Sequence, residues 1–250
     1  MIQAVTIDFW NTLVDSSNGA ARRRVRNAAV QDVYHRLGRP WDEDEALDAM
    51  RVSYETFEKH WQGEQRTLSA SECLHAAWKH LGMTVDEDLH RRTVDVFEDS
   101  ILDGLPGLLP GAGEALAEIA AMAPIALISD TAFSPGRVLR KVLERHGVLD
   151  HFTALIFSDE VGVSKPHPRI FDAALSALHG KAAHAVHIGD LERTDITGAK
   201  GKGMRAILFR GDETGRYHHE NAPEHSAADA VAHSWDEVTE ILRSWEKEGD

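Results

Sequence analysis

The sequence predicts an α/β protein: a parallel sheet with helices on both faces, interrupted after its first strand by a helical insert. Three observations predict it. An apolar, β-branched run from Ile2 to Ile7 stops abruptly at Asp8, short enough for a buried central strand. Amphipathic helical segments then follow one another from Asp15 to about residue 100. From Gly113 onward short apolar runs alternate with helical periods, the pattern of strand–helix–strand units.

The elements follow in order. In the first helix Val25, Ala29, Val33 and Leu37 recur every four residues until Gly38 and Pro40, which end it. Asp42, with Glu45 three residues on, opens a second helix with an apolar stripe of Ala46, Met50, Phe57 and Trp61. Ser69 with Glu72 forms a capping-box pattern for a third, which carries Leu74, Ala77, Trp78 and Leu81 before Gly82. Thr84 with Glu87 repeats the device for a fourth, bearing Leu89, Phe97 and Ile101. Short connections between four amphipathic helices predict a compact bundle. The Gly- and Pro-rich stretch 104–113 reads as a hinge or return crossing. Beyond it come helix 113–123, strand 125–129, helix 136–146 and strand 154–157, then a loop to Lys165. Pro168 suits the first turn of the next helix. Strands 185–188 and 206–209 flank a short Gly-rich helix, and Ser234 with Glu237 starts the last one. The expected organisation is a core made of 1–15 and 101–250, with a helical cap at 16–100 hanging over one sheet edge.

Composition bounds the partners. With 250 residues the chain can bury a proper core without stapling. Its single cysteine, Cys73, cannot make an intrachain disulfide, and it lies in the apolar pattern of the third helix, where it reads as a small core residue. With no basic leader and no apolar stretch of membrane-spanning length, a cytoplasmic protein with no membrane partner is expected. Lys plus Arg number 27 against 41 Asp plus Glu, a formal charge of −14. That balance repels nucleic-acid backbones and predicts no nucleic-acid partner. A small anionic substrate stays possible, because a local cation or a bound divalent ion governs its own pocket.

Four segments at the ends of core strands offer different chemical parts. Asp8 ends the first strand; at the carboxyl edge of an open sheet, where ligands bind, it can be a nucleophile, a metal ligand or an ordinary turn cap. Ser129 ends the strand Ile125–Ile128 and precedes Asp130 and Thr131. Lys165 lies in Gly162-Val163-Ser164-Lys165-Pro166, and Gly189-Asp190 is followed five residues later by Asp195. Singly each has a bland explanation: a turn serine, a solvated lysine, a common turn pair. Together they suit phosphoryl transfer, with a carboxylate nucleophile, a hydroxyl and an ammonium to hold phosphate oxygens, and further carboxylates for a divalent cation.

In these motifs, from Val5 through about Phe209, the chain resembles the haloacid dehalogenase-like hydrolase superfamily. The phrase His187-Ile188-Gly189-Asp190 through Asp195 is especially similar to the family's fourth motif. The resemblance implies a Rossmann-like core with a four-helix cap inserted between the first and second motifs. It implies Asp8 as nucleophile, Ser129 and Lys165 as binders of the transferring group, and Mg²⁺ held by Asp8, Asp190 and the Trp10 backbone carbonyl. Asp195 would be a further ligand or a supporting carboxylate. The expected substrate is a small phosphorylated metabolite, turned over by a monomer or homodimer.

Trp10 departs from that pattern. In the family's phosphatases the residue two beyond the nucleophile is a second Asp, the general acid and base. An indole N–H cannot exchange a proton usefully near neutral pH, a loss of about 10²–10⁴-fold if nothing replaces it. Dehalogenases of the superfamily also carry an aromatic residue there, since halide leaves as an anion, but they dispense with the metal and the Gly-Asp pair. Retention of Gly189-Asp190 favours phosphate chemistry. A metal-independent 2-haloacid dehalogenase and a catalytically weakened ligand-binding member are the alternatives. His218, His219 and His225 read as a polar loop. The run Arg22, Arg23, Arg24 and Arg26 reads as a solvated helix face, with an anion-binding arginine as the sharper alternative.

Overall fold

A computed structural model describes residues 1–212 and 226–248. The loop histidines His218, His219 and His225 lie outside the described residues. The chain forms two compact units: Met1–Ser17 with Pro106–Asp130 and Leu143–Asp250, and Asn18–Leu105 with Thr131–Val142. Segment 131–142, which directly follows the second core strand, thus clusters with the helices of the insert.

In chain order the elements are β1 (Ala4–Ile7), α1 (Gly19–Arg36), α2 (Glu43–Glu64), α3 (Ala70–His80), α4 (Glu87–Asp99), α5 (Ala112–Met122), β2 (Ile125–Ser129) and α6 (Gly136–Arg145). They continue with β3 (Ala154–Phe157), α7 (Ser158–Val161), α8 (Pro168–Ala177), β4 (Ala185–Gly189), α9 (Thr197–Gly201), β5 (Arg205–Phe209), β6 (Ala230–Ala232) and α10 (Trp235–Glu248).

The first unit is an α/β, Rossmann-like fold. Among the described residues its sheet has six parallel strands in the order β3-β2-β1-β4-β5-β6. β1 sits between β2 and β4, and every residue of β1, β2 and β4 is buried. Such burial on both faces explains the unbroken apolar runs of these strands, where a one-sided sheet would alternate. On one face Ile128, Ala126 and Leu208 pack with Phe171, Ala174 and Ile170 of α8 and Ala199 of α9. Because the sheet order reverses at β1, its carboxyl end lies at the switch point where open α/β sheets bind ligands.

The second unit packs α1 to α4 around Val33, Tyr34, Ala49, Leu74, Ala77, Trp78 and Phe97. Asp42 caps α2 by accepting from the Glu45 N–H at 3.0 Å. Ser69 and Glu72 form the expected reciprocal box on α3. Two expectations fail here. The cap of α4 is Asp86, which accepts from the Leu89 N–H at 2.9 Å, and the Thr84–Glu87 pair forms no box because Glu87 is already the first helical residue. In α1 the buried positions are Val30, Val33 and Tyr34, while Leu37 is exposed. Repeated steps of four advance 400° and drift around the helix, so the Val25-Ala29-Val33-Leu37 series leaves the core face.

Candidate active site

The carboxyl ends of β1, β2 and β4 bring most of the expected residues to one place. Asp8 follows β1 directly, and its N–H donates to the Ile188 carbonyl of β4 at 2.9 Å. Ile7 and Leu127 are register partners, so Ser129 ends β2 one residue beyond the level of Asp8. Lys165 arrives on the loop between α7 and α8, where its backbone N–H donates to Asp130 Oδ1 at 2.9 Å. Lys165 is 2 % exposed, and its ammonium donates to Asp8 Oδ1, to Asp195 Oδ1 at 2.7 Å and to the Ile128 carbonyl at 3.2 Å. All three of its protons are thereby used.

Asp190 follows Gly189 at the end of β4, and Asp195 lies in the π-helical turn Glu192–Ile196 before α9. Gly189 makes that approach possible, because a Cβ there would stand 2.6 Å from Asp195 Cβ. Asp195 is fully engaged. Its Oδ1 accepts from Lys165 and from His187 Nε2 at 3.0 Å, and its Oδ2 from the Leu191 N–H at 3.0 Å and Thr194 Oγ1 at 3.2 Å. Asp190 has far less support, a 3.4 Å contact from Asn11 Nδ2.

One carboxylate oxygen from each of Asp8, Asp190 and Asp195 lies within 4.8 Å of the other two. Asp8 and Asp195 share the Lys165 ammonium, which Asp190 feels through space without touching it. Asp195 wins it: burial alone would raise its carboxyl, but Lys165 and His187 hold it below the usual carboxylate range. Burial pushes Asp8 up to about 7, with Lys165 opposing and Asp195 adding to the rise. Burial and the neighbouring Asp8 and Asp195 push Asp190 well above its ordinary value. Burial would neutralise Lys165, but Asp195 and Asp8 raise its ammonium above the usual lysine range. Carboxylates packed this closely, two of them short of positive charge, fit a divalent cation, whose hard charge prefers oxygen ligands.

The hydroxyls at this edge are also telling. Ser129 Oγ, Thr12 Oγ1 and Ser164 Oγ are buried and accept or donate no hydrogen bond among the described residues. Buried hydroxyls are seldom left so, and Ser129 and Ser164 immediately adjoin Asp130 and Lys165. Trp10 is half-buried and meets Phe9 edge-on at 5.2 Å between ring centroids. Its backbone bridges Val14 in a tight return of the chain. That return places Asn11 at φ 54°, in the left-handed region that Asn tolerates better than most residues, with Ser16 Oγ donating to its Oδ1 at 2.7 Å. The sequence motifs give no role to Asn11 or to His187, although the latter lies in the phrase that ends in Gly189-Asp190. A turn residue of αL tendency three after Asp8 was the signal for the first, and a polar residue inside an otherwise apolar strand for the second.

Within the helical unit the basic run divides. Arg23 and Arg24 are exposed. Arg22 Nη1 donates to the Gly104 carbonyl at 2.7 Å, and Arg26 Nε to Ser100 Oγ at 2.8 Å. The Arg26 guanidinium lies 4.5 Å from the centre of the Phe133 ring, a cation–π contact.

A parallel sheet here gathers an aspartate, a serine, a lysine and a Gly-Asp pair at its switch point, a set suited to a hydrolase. The family model for haloacid dehalogenase-like hydrolases matches residues 2–203, and the chain belongs to that family. The glyceraldehyde 3-phosphate phosphatase of Pyrococcus abyssi is 29 % identical over 215 residues, 84 % of this chain and 82 % of that protein. A pyrimidine 5′-nucleotidase of Escherichia coli is 34 % identical over 135 residues, 54 % of this chain and 56 % of its own. Among solved structures, a 2-haloacid dehalogenase from Pseudomonas syringae pv. Tomato aligns with a TM-score of 0.72 at 22 % identity, covering 98 % of this chain and 100 % of that one. A phosphatase of the same family from Thermococcus onnurineus aligns at 0.67 and 20 % identity, over 96 % and 98 %. These structural likenesses concern the fold. Among the described residues no helix is long and apolar enough to cross a membrane.

Proposed function

We propose that the protein is a Mg²⁺-dependent phosphohydrolase that cleaves a small phosphorylated metabolite through an aspartyl-phosphate on Asp8. The observation that carries this is the crowding of the Asp8, Asp190 and Asp195 carboxylates against one another, with the Lys165 ammonium on Asp8 and Asp195. The phosphatase names of its relatives support it. An Asp8 carboxylate oxygen attacks phosphorus, the bond from phosphorus to the leaving oxygen breaks, and water then attacks phosphorus to release phosphate and restore the carboxylate. Lys165 orients Asp8 and offsets charge on the equatorial oxygens, while the Ser129 hydroxyl donates to one of them. Asp8, Asp190 and the Trp10 carbonyl would hold Mg²⁺, which when bound supplies positive charge against the approach of one anion to another. Asp195, with its oxygens occupied, serves to hold Lys165 in place. Residues 16–100 act as the cap that selects the substrate.

Turnover of a panel of phosphate esters, acyl phosphates and haloacids, with and without Mg²⁺, tests the proposal when phosphate and halide are measured together. Phosphate release that requires Mg²⁺ is expected. Metal-free halide release would establish the dehalogenase, whose supporting observation is Trp10, and binding without turnover would establish the weakened member. Asp190→Asn should raise the Mg²⁺ concentration for half-maximal rate severalfold, since a neutral ligand replaces a charged one. An unchanged Mg²⁺ titration would remove Asp190 from the metal site.

Trp10 narrows the substrate further. Asp130, beside Ser129, already accepts the Lys165 N–H; with no acid at position 10, leaving groups stable as anions, such as aryl oxides and acyl carboxylates, should outpace sugar alkoxides. The rate should depend steeply on leaving-group pKa, and Trp10→Asp should flatten that dependence by restoring a proton donor. Brisk alkyl phosphate turnover with a shallow dependence in the unmodified protein would show that another residue supplies the proton.

A further inference from the structure

Among the described residues His187 is the one imidazole buried in the α/β core beside this cluster, and the mechanism above leaves it unused. It lies in β4 with no exposed surface. Its ring meets Phe171 edge-on at 5.2 Å, and its Cα is the register partner of Thr6 in β1. Both ring nitrogens are engaged: Nε2 lies 3.0 Å from Asp195 Oδ1, and Nδ1 lies 2.8 Å from Thr6 Oγ1. The carboxylate can only accept, so Nε2 carries a proton. With the single proton of the neutral ring on Nε2, Nδ1 is bare and accepts the Thr6 hydroxyl proton at 2.8 Å. The other acceptor near that hydroxyl, the Val186 carbonyl, is 3.4 Å away.

The donors thus run in one direction, from Thr6 to His187 to Asp195, and Asp195 Oδ1 meets Lys165 from the other side. Asp195 Oδ1 is the atom shared by the imidazole and the ammonium. We propose that His187 is a positioning residue: held in its Nε2–H form by Thr6, it fixes the Asp195 carboxylate and so sets the Lys165 ammonium against Asp8. The proposal rests on Asp8 and Lys165 carrying the chemistry. A bare packing role would need only an apolar ring-sized side chain in this pocket; a positioning role needs a donor at Nε2.

The test compares His187→Leu, His187→Gln and Thr6→Val with the wild type, using p-nitrophenyl phosphate with Mg²⁺ and thermal melts. His187→Leu should lower kcat by about 10- to 100-fold, the range for loss of a supporting hydrogen bond or a small misplacement of a reacting group, and leave KM nearly unchanged. His187→Gln, whose side-chain amide can donate near the Nε2 position, should recover most of kcat whatever its melting temperature. Thr6→Val should fall between them. Wild-type kcat in a folded His187→Leu protein would overturn the proposal. So would a glutamine variant no faster than the leucine variant. Imidazole ¹⁵N NMR of the wild type at neutral pH reads the tautomer without any turnover: a protonated Nε2 and bare Nδ1 are expected, and the reverse contradicts the proposal. If the wild type releases no phosphate from any ester while this tautomer is found, the phosphatase reading fails and the hydrogen-bond chain stands.

Discussion

Asp8→Asn should abolish turnover, lowering kcat by at least about 10⁴-fold, the scale seen when a covalent nucleophile is removed, while the protein stays folded. An amide oxygen is a poor nucleophile, and the substitution also removes a charge from the carboxylate cluster. The same substitution has a second signature in stability. In the folded metal-free protein burial raises Asp8 from 3.8 to about 7. A raised carboxyl stabilises the fold while protonated, fully below its unfolded value, and loses that contribution as pH rises through the folded one. Wild type measured in a chelator should therefore lose stability relative to Asp8→Asn between about pH 4 and pH 7. Asp190, raised in the same direction, adds to this loss in the wild type. Adding Mg²⁺ should stabilise the wild type more than the variant. Parallel melting curves across that pH range would show that Asp8 is not crowded in the way the geometry describes.

Lys165→Met should be nearly as damaging to activity and much worse for stability. It leaves the Asp195 carboxylate, 1 % exposed, without its ammonium. Breaking a buried ion pair from one side costs about 3–5 kcal/mol. The cost depends on charge, so it should shrink as pH falls and the orphaned carboxylates protonate. Lys165→Arg keeps the charge but replaces a compact ammonium with a planar fork, and the three acceptors at Asp8, Asp195 and Ile128 are spaced for the former. It should restore part of the stability and little of the rate. A methionine variant that melts like the wild type at pH 8 would mean that the ammonium is not what holds these carboxylates together.

Much of the fold was legible because its signals are local. The β2 range 125–129, the Asp42 and Ser69 caps and Pro168 in the first turn of α8 each depend on residues within a few positions of one another. What was missed depends on the rest of the molecule. β6 is three residues long and, among the described residues, pairs with β5 alone, so no apolar run announces it. The four-residue helix α7 falls in what reads as a loop before Lys165. Around the site, the strand-end positions of Asp8, Ser129 and Asp190 could be read from short motifs, while Lys165 stands on the loop after α7. The sharing of one lysine by Asp8 and Asp195 could not, since it joins residues 157 and 30 positions apart. Nor could the pairing of Thr6 with His187, which only the β1–β4 register creates.

The covalent step on Asp8 is open to direct capture. Protein quenched in acid during steady turnover of an acyl or aryl phosphate, then digested and examined by mass spectrometry, should carry a phosphoryl group on the peptide that contains Asp8. With no carboxylate at position 10 to act as general base on water, this species should accumulate, and Trp10→Asp should diminish it. A protein that turns over its phosphate substrate while Asp8 stays unmodified, or that carries the phosphoryl group on another residue, would contradict the account.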